Sequence, residues 1–215
     1  MKVVSVNVGK PREVEWKDTL VTTGIFKDPV DGPVMIRELN LDGDQQADLT
    51  VHGGTEKAVY GYASEHYEYW KHELPGVKFP WGKFGENLTT EGLFEDTLHI
   101  GDRLKVGSGV LTVTQPRLPC YKLTVRFNRD DMIKRFLTSR RSGFYFSVEN
   151  EGEVMAGSEI EILSRDPNRV SVADISRLYF SKDTDEELLQ RSIKVRALPA
   201  SWRDELIVRA EGRNR

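Results

Sequence analysis

A chain of 215 residues, 38% hydrophobic and 30% charged, is long enough for one buried core with a modest appendage. Its formal net charge of −3 gives no global pull toward nucleic acid polymers or acidic membranes, so any anion site must be a local cluster. A single cysteine, Cys120, excludes an internal disulfide, a Cys-rich zinc site and a Cys-ligated iron–sulfur cluster within one chain.

The N-terminal run MKVVSVNVGK alternates Val4, Val6 and Val8 with Ser5 and Asn7, which predicts a strand and not a signal segment. Further strands are expected at Val21 to Phe26, Val34 to Leu41, Gly143 to Asn150 and Ser158 to Leu163. Asp102 to Gln115 reads as two strands joined at Gly107-Ser108-Gly109, a hairpin signal. Two helices interrupt this β-rich part. Ala63 to Leu74 places Ala63, Tyr67, Trp70 and Leu74 on one face, and Arg129 to Ser139 does the same with Met132, Ile133, Phe136 and Leu137. Many short strands with glycine turns suggest a barrel or a sandwich. After the polar stretch SRDPNR, Ser164 to Arg169, everything reads as helix. Ser171 with Asp174, and Thr184 with Glu187, have capping-box spacing, and Pro199 opens a third helix carrying Trp202, Leu206 and Ala210. No stretch approaches the roughly 18 apolar residues of a membrane helix, so no membrane association and a cytoplasmic location are expected.

Four clusters bear groups that chemistry uses. GDQQADLTVHGGTEKAVYGY, Gly43 to Tyr62, offers the backbone N–H groups of Gly53 and Gly54 and the charge of Lys57 to an anion, with His52 at the edge of the turn. KFGENLTTEGL, Lys83 to Leu93, offers the Glu86 carboxylate and the Asn87 amide to a polar ring system. TTGIFKDPVDGPV, Thr22 to Val34, contains Lys27. QPRLPCYK, Gln115 to Lys122, sets Cys120 in a loop stiffened by Pro116 and Pro119 and flanked by Arg117 and Lys122, cations that favour a thiolate if they approach it in space. Each cluster alone is also compatible with an ordinary turn, a solvated lysine or a buried inert cysteine. His66 and His72 lie six apart on a helix and point away from each other. No metalloprotease, Walker or dinucleotide fingerprint is visible.

The clusters occur together and in order. With TGIFKDPVDGPV, HGGTEKAVYGY, FGENLTTEGL, IGDRLKVG and QPRLPCYKL in place, the chain resembles the MOSC domain family, named after the C-terminal domain of molybdenum cofactor sulfurase. More narrowly it resembles the bacterial stand-alone kind with a C-terminal three-helix extension. The resemblance runs from about Val3 to Arg165 and implies a mainly β protein with some α structure. It implies a MOSC-type β-barrel domain over residues 1–165, with short peripheral helices, and a small helical extension over 170–215. It implies that a molybdenum cofactor is bound, with Cys120 as the catalytic residue and the protein ligand of the metal. Lys27, Lys57, Arg117 and the Gly53-Gly54 backbone would hold the pterin phosphate, Glu86 and Asn87 the pterin, and His52 would line or support the site.

The implied reaction is reduction of N-hydroxylated compounds, such as hydroxylaminopurine-type bases, to amines. The electrons would come from a separate flavin or iron–sulfur reductase. A cofactor carrier or sulfur-handling protein using the same cysteine without turnover is the other reading, and a binding module docked through its helices a third. The oligomeric state is open, a homodimer included.

Overall fold

The computed structural model describes residues 1–48, 53–180 and 185–212. The strands are β1 (Lys2–Val8), β2 (Arg12–Trp16), β3 (Thr19–Thr23), β4 (Asp28–Pro29), β5 (Val34–Ile36), β6 (Val59–Ala63), β7 (Leu88–Glu91), β8 (Arg103–Val106), β9 (Gly109–Pro116), β10 (Phe144–Asn150), β11 (Gly152–Val154) and β12 (Ile160–Ser164). The helices are α1 (His66–Glu73), α2 (Tyr121–Phe127), α3 (Met132–Ser139), α4 (Val172–Phe180), α5 (Glu186–Ile193) and α6 (Ala200–Glu211). Eight strands form one sheet in the order β12-β8-β9-β10-β6-β7-β1-β4, in which only β6 and β7 run parallel. β2–β3 and β5–β11 are separate antiparallel pairs.

The sheet curls but does not close into the expected barrel. The residue before β12 meets the start of β1 at one bridge, Lys2 with Glu159, supported by backbone bonds from Val3 to Ser158 and from Ile160 to Met1, each 2.9 Å. A longer ladder has no room. β4 pairs with Asn7 and Val8, and Val30 N–H donates to Val6, so the far half of β1's outer edge is already taken.

β1 itself departs from simple alternation. A register shift between Val3 and Ser5 leaves Val3 and Val6 in the core, while Ser5 and Asn7 are buried on the other face. There Ser5 donates to Asn7 Oδ1 and the Asn7 amide donates to Thr89. The hairpin between β8 and β9 turns at Gly107-Ser108, with Gly107 at φ 59°. β9 alternates at first, then is buried on both faces from Val113 to Pro116, where α4 packs against the strand and α6 reaches it through one side chain. The Trp202 indole N–H donates to Gln115 Oε1 at 2.6 Å.

Helix caps are visible in the sequence where side chains supply them. Ser171 and Asp174 form the expected reciprocal box, with bonds of 3.1 and 3.0 Å. Thr184 lies outside the described residues, and α5 is capped by Asp185, which accepts from Leu188 N–H at 3.0 Å. Trp202, Leu206 and Ala210 of α6 are buried as a stripe.

Two apolar clusters result. The larger runs from Val3, Leu104 and Phe146 in the sheet to Ile175, Leu189 and Leu206 in the last helices, so the helical region shares one core with the sheet. The smaller is aromatic, with Tyr62, Tyr67, Trp70, Phe84 and Phe136 packed among α1, α2 and α3. Its polar tips are met internally: Trp70 Nε1–H donates to the Tyr62 hydroxyl at 2.6 Å. This cluster lies beneath the loop that carries Arg117, whose guanidinium is 5.3 Å from the Phe136 ring centroid.

Candidate functional site

β9 ends at Pro116, and Arg117-Leu118-Pro119-Cys120 carries the chain out of the sheet into α2. Cys120 is the N-cap residue of that helix, with extended backbone (φ −121°, ψ 172°), and its carbonyl accepts from Leu123 N–H at 2.9 Å. Its half-buried side chain lines a recess of about 90 Å³ whose walls include Lys27, Lys57, Tyr60, Asn87, Arg117, Lys122 and Tyr145. Five of the nine residues singled out from the sequence thus come together: Cys120, Lys27, Lys57, Asn87 and Arg117.

Arg117 is the distinctive member. It is 6% exposed, and its guanidinium lies 5.0 Å from the Tyr60 ring centroid, with Nη1–H donating to the Tyr60 hydroxyl at 3.5 Å. Burial opposes its charge, and nearby Tyr60, Tyr145 and Cys120 outweigh that, so its pKa is pushed up. Among the described residues no carboxylate forms an ion pair with it. A buried cation held by aromatic walls and phenol oxygens lacks the anionic partner that buried charges ordinarily find. Burial raises the Tyr60 and Tyr145 phenols above their ordinary range, so both stay protonated at neutral pH.

Lys27 reaches the recess but is already engaged. Its ammonium pairs with Asp44 Oδ1, which also accepts from Gly9 N–H at 2.9 Å, while Asp44 Oδ2 accepts from the Asn87 amide at 2.9 Å. Asn87 Oδ1 accepts from Tyr60 N–H at 3.1 Å. Burial lowers the Lys27 pKa, and Asp44 works against that shift. Lys27, Asp44 and Asn87 therefore form one wall that holds β1, β6 and the strand-to-strand loops in register. Asp44 was not among the expected residues.

Glu86 is a correction. It was expected to hydrogen-bond a pterin, but it is fully buried and does not line the recess. Its carboxylate accepts from the Tyr67 hydroxyl, from Gly82 N–H at 2.9 Å, from Thr89 Oγ1 at 3.0 Å and from Phe84 N–H at 3.0 Å. Those four donors use up its acceptor capacity and fix the Phe84-Gly85 turn, where Gly85 has φ +81° and an added Cβ would stand 2.8 Å from Ile25. Burial pushes the Glu86 carboxyl above its ordinary range, against those bonds.

Gly53 and Gly54 are not in the recess wall. Gly54, at φ +94°, starts the 3-10 turn Thr55–Lys57 that presents Lys57. His52 lies outside the described residues. His66 is a structural partner of Glu95, at 2.8 Å. Among the described residues no cluster of three His, Cys, Asp or Glu side chains is placed to hold a metal, and no helix is long and apolar enough to cross a membrane.

Residues 48–161 match the MOSC domain, and residues 170–207 match the YiiM-like 3-alpha helix domain. YflK of Bacillus subtilis is 39% identical over 94% of this chain and 90% of its own. The crystal structure of YiiM from Geobacillus stearothermophilus superposes with a TM-score of 0.80 at 34% identity, covering 97% of this chain and 98% of that one. A Gibberella moniliformis protein named reductase is 35% identical over 79% of this chain, which spans 30% of that longer protein. The chain belongs to the MOSC domain family, in the form that carries a YiiM-like three-helix region after the sheet.

Proposed function

We propose that this protein binds a molybdenum cofactor in the Cys120 recess and reduces N-hydroxylated compounds to amines, with electrons from a separate flavin or iron–sulfur donor protein. The observation that carries the reading is Arg117, a buried cation with no carboxylate partner among the described residues, in the same wall as the single cysteine. The donor set fits the group. A thiol is a soft ligand for the metal, and Arg117, Lys57 and Lys122 offer charge to a phosphate. At about 90 Å³ the recess is smaller than the roughly 300 Å³ at which ligand clefts begin, so the fit rests on its chemistry.

When bound, the cofactor would supply two-electron cleavage of the substrate N–O bond, with two protons consumed and the oxygen leaving as water. The protein's own residues hold and orient. Cys120 Sγ would anchor the metal, and Arg117 would fix the phosphate through its planar fork. The Tyr145 hydroxyl, kept protonated by burial, can donate a hydrogen bond into the recess, whereas the Tyr60 hydroxyl donates to the Ser142 carbonyl at 2.9 Å. Lys27, Asp44 and Asn87 keep that wall rigid, and Glu86 keeps the neighbouring turn in place. In this reading residues 1–165 hold the cofactor and 170–215 form the extension. The kinship with a protein named reductase supports the reaction class.

The test is turnover. Protein isolated from a host that makes the cofactor is given a reduced viologen and an N-hydroxylated purine base, and the amine is quantified by chromatography. One amine for every two electrons is expected. Metal-replete protein that forms no amine would overturn the reductase reading and favour a carrier using the same cysteine.

A further inference from the structure

A groove of about 560 Å³ opens between α3 and α4. That volume falls in the range of roughly 300–1,000 Å³ found for small-molecule sites. The groove is separate from the Cys120 recess: among the described residues Arg117 alone lines both. α4 gives the groove one face, Ala173, Ser176, Arg177 and Phe180, at the spacing i, i+3, i+4 and i+7. Val172, Ile175 and Leu178 of the same helix are buried in the core. Opposite stand Phe136 and Leu137 of α3 and Arg140, which ends that helix at φ 57°.

The charges along the groove do not balance. Three arginines face one carboxylate, Asp174. Asp174 is engaged on both oxygens: Oδ2 accepts from Ser171 N–H at 3.1 Å, and Oδ1 lies 3.7 Å from Arg177. Arg177 also bonds Asp185 at 3.2 Å, so that cation is answered. Arg117 and Arg140 are not, since among the described residues neither forms an ion pair with a carboxylate. Ser176 Oγ, on the same wall, is buried without a hydrogen-bond partner. Beside these polar groups lie Leu137 and the Phe180 ring, which is half exposed.

We propose that the α3–α4 groove binds a small organic anion, with its carboxylate or phosphate between Arg117 and Arg140 and its aromatic body on Leu137 and Phe180. The oxyanion supplies the counter-charge that the two arginines lack, and the Ser176 hydroxyl turns to donate to it. The aromatic body covers apolar surface that otherwise faces water. An inorganic anion would leave Phe180 exposed, and an uncharged arene would leave both cations unanswered, so the walls select the combination. The site does not depend on the cofactor reading, because Arg117 is all that the groove shares with the Cys120 recess.

Naphthoate is the probe and naphthylmethanol its uncharged counterpart, each titrated by calorimetry into the full-length protein from a host that makes the cofactor. One naphthoate per chain is expected. Arg140→Gln should weaken its binding about ten-fold, the scale of one lost hydrogen bond to a charged group, and Phe180→Ser about three-fold through lost apolar contact. Both residues are exposed, which makes both variants compatible with folding. Lys134→Gln removes an exposed charge from α3 outside the groove and should keep the wild-type affinity. Naphthylmethanol should bind about ten-fold more weakly than naphthoate. No saturable binding at millimolar naphthoate would overturn the site. So would unchanged affinity in Arg140→Gln, equal weakening by Lys134→Gln, or naphthylmethanol bound as tightly as naphthoate.

Discussion

Trp202 Nε1–H donates to Gln115 Oε1 at 2.6 Å, and this bond ties the last helix to the strand that delivers Cys120. The Gln115 amide in turn reaches the Glu56 carbonyl at 3.4 Å, next to Lys57. One side chain thus joins the helical region, the cysteine strand and the lysine turn. Gln115→Met leaves the buried indole N–H without an acceptor, a loss of about 1–3 kcal/mol. Urea unfolding followed by tryptophan fluorescence measures it; an unchanged midpoint would show that the bond holds nothing.

Asp44 is the other hub. Asp44→Ala strands the buried Lys27 ammonium and frees Gly9 N–H and the Asn87 amide. Breaking a buried pair from one side costs about 3–5 kcal/mol. Adding Lys27→Met removes the stranded charge and should recover part of that loss. Denaturant midpoints for the single and double variants settle it, and a double variant no better than Asp44→Ala would contradict the pairing.

Lys83 gives stability a pH signature. Burial, with Arg126 as a lesser cause, brings its pKa down to about 8 from 10.5. Its ammonium lies 4.7 Å from the Phe127 ring centroid and donates to the Arg126 carbonyl at 3.3 Å. Between about 8 and 10.5 the unfolded chain keeps a proton that the folded protein has released, so this group makes stability rise with pH across that window. Below about 8 it is charged in both states and the gain is absent. Subtracting the Tm-versus-pH curve of Lys83→Met from that of the wild type isolates the rise. A flat difference would contradict it.

Much of this was legible in the sequence. Strand β1, the Gly107-Ser108 hairpin, the Ser171–Asp174 box and the Trp202 stripe all follow from local patterns that tertiary packing left intact. The faces of β1 were only half legible: the shift between Val3 and Ser5 puts Val3 in the core in place of Val4, and the opposite face, with Ser5 and Asn7, is buried against Thr89 where alternation assigns it to solvent. α2 escaped notice because Tyr121–Phe127 has only seven residues, two of them β-branched, and depends on packing of Leu123 and Phe127 beneath the site. Asp44 looked like part of a polar turn, since its partners Lys27 and Asn87 lie 17 and 43 residues away. Barrel closure failed as an expectation because no local pattern reveals that β4 occupies the edge β12 would need.

Arg117 should decide cofactor retention. Arg117→Met removes the fork and keeps the apolar stem. Molybdenum and pterin per protein should fall about ten-fold, while Arg117→Lys restores charge without the bidentate fork and recovers only part. Metal analysis and pterin fluorescence read both variants. Full occupancy in Arg117→Met would remove the residue from the site.

The most direct measurement is molybdenum and pterin stoichiometry in wild type and Cys120→Ser, both purified from a host that makes the cofactor. Near-equimolar metal and pterin in the wild type, with metal lost from a Cys120→Ser protein that still folds by circular dichroism, is the expected result. Metal retained at full occupancy in Cys120→Ser would contradict the assignment of the cysteine as its ligand.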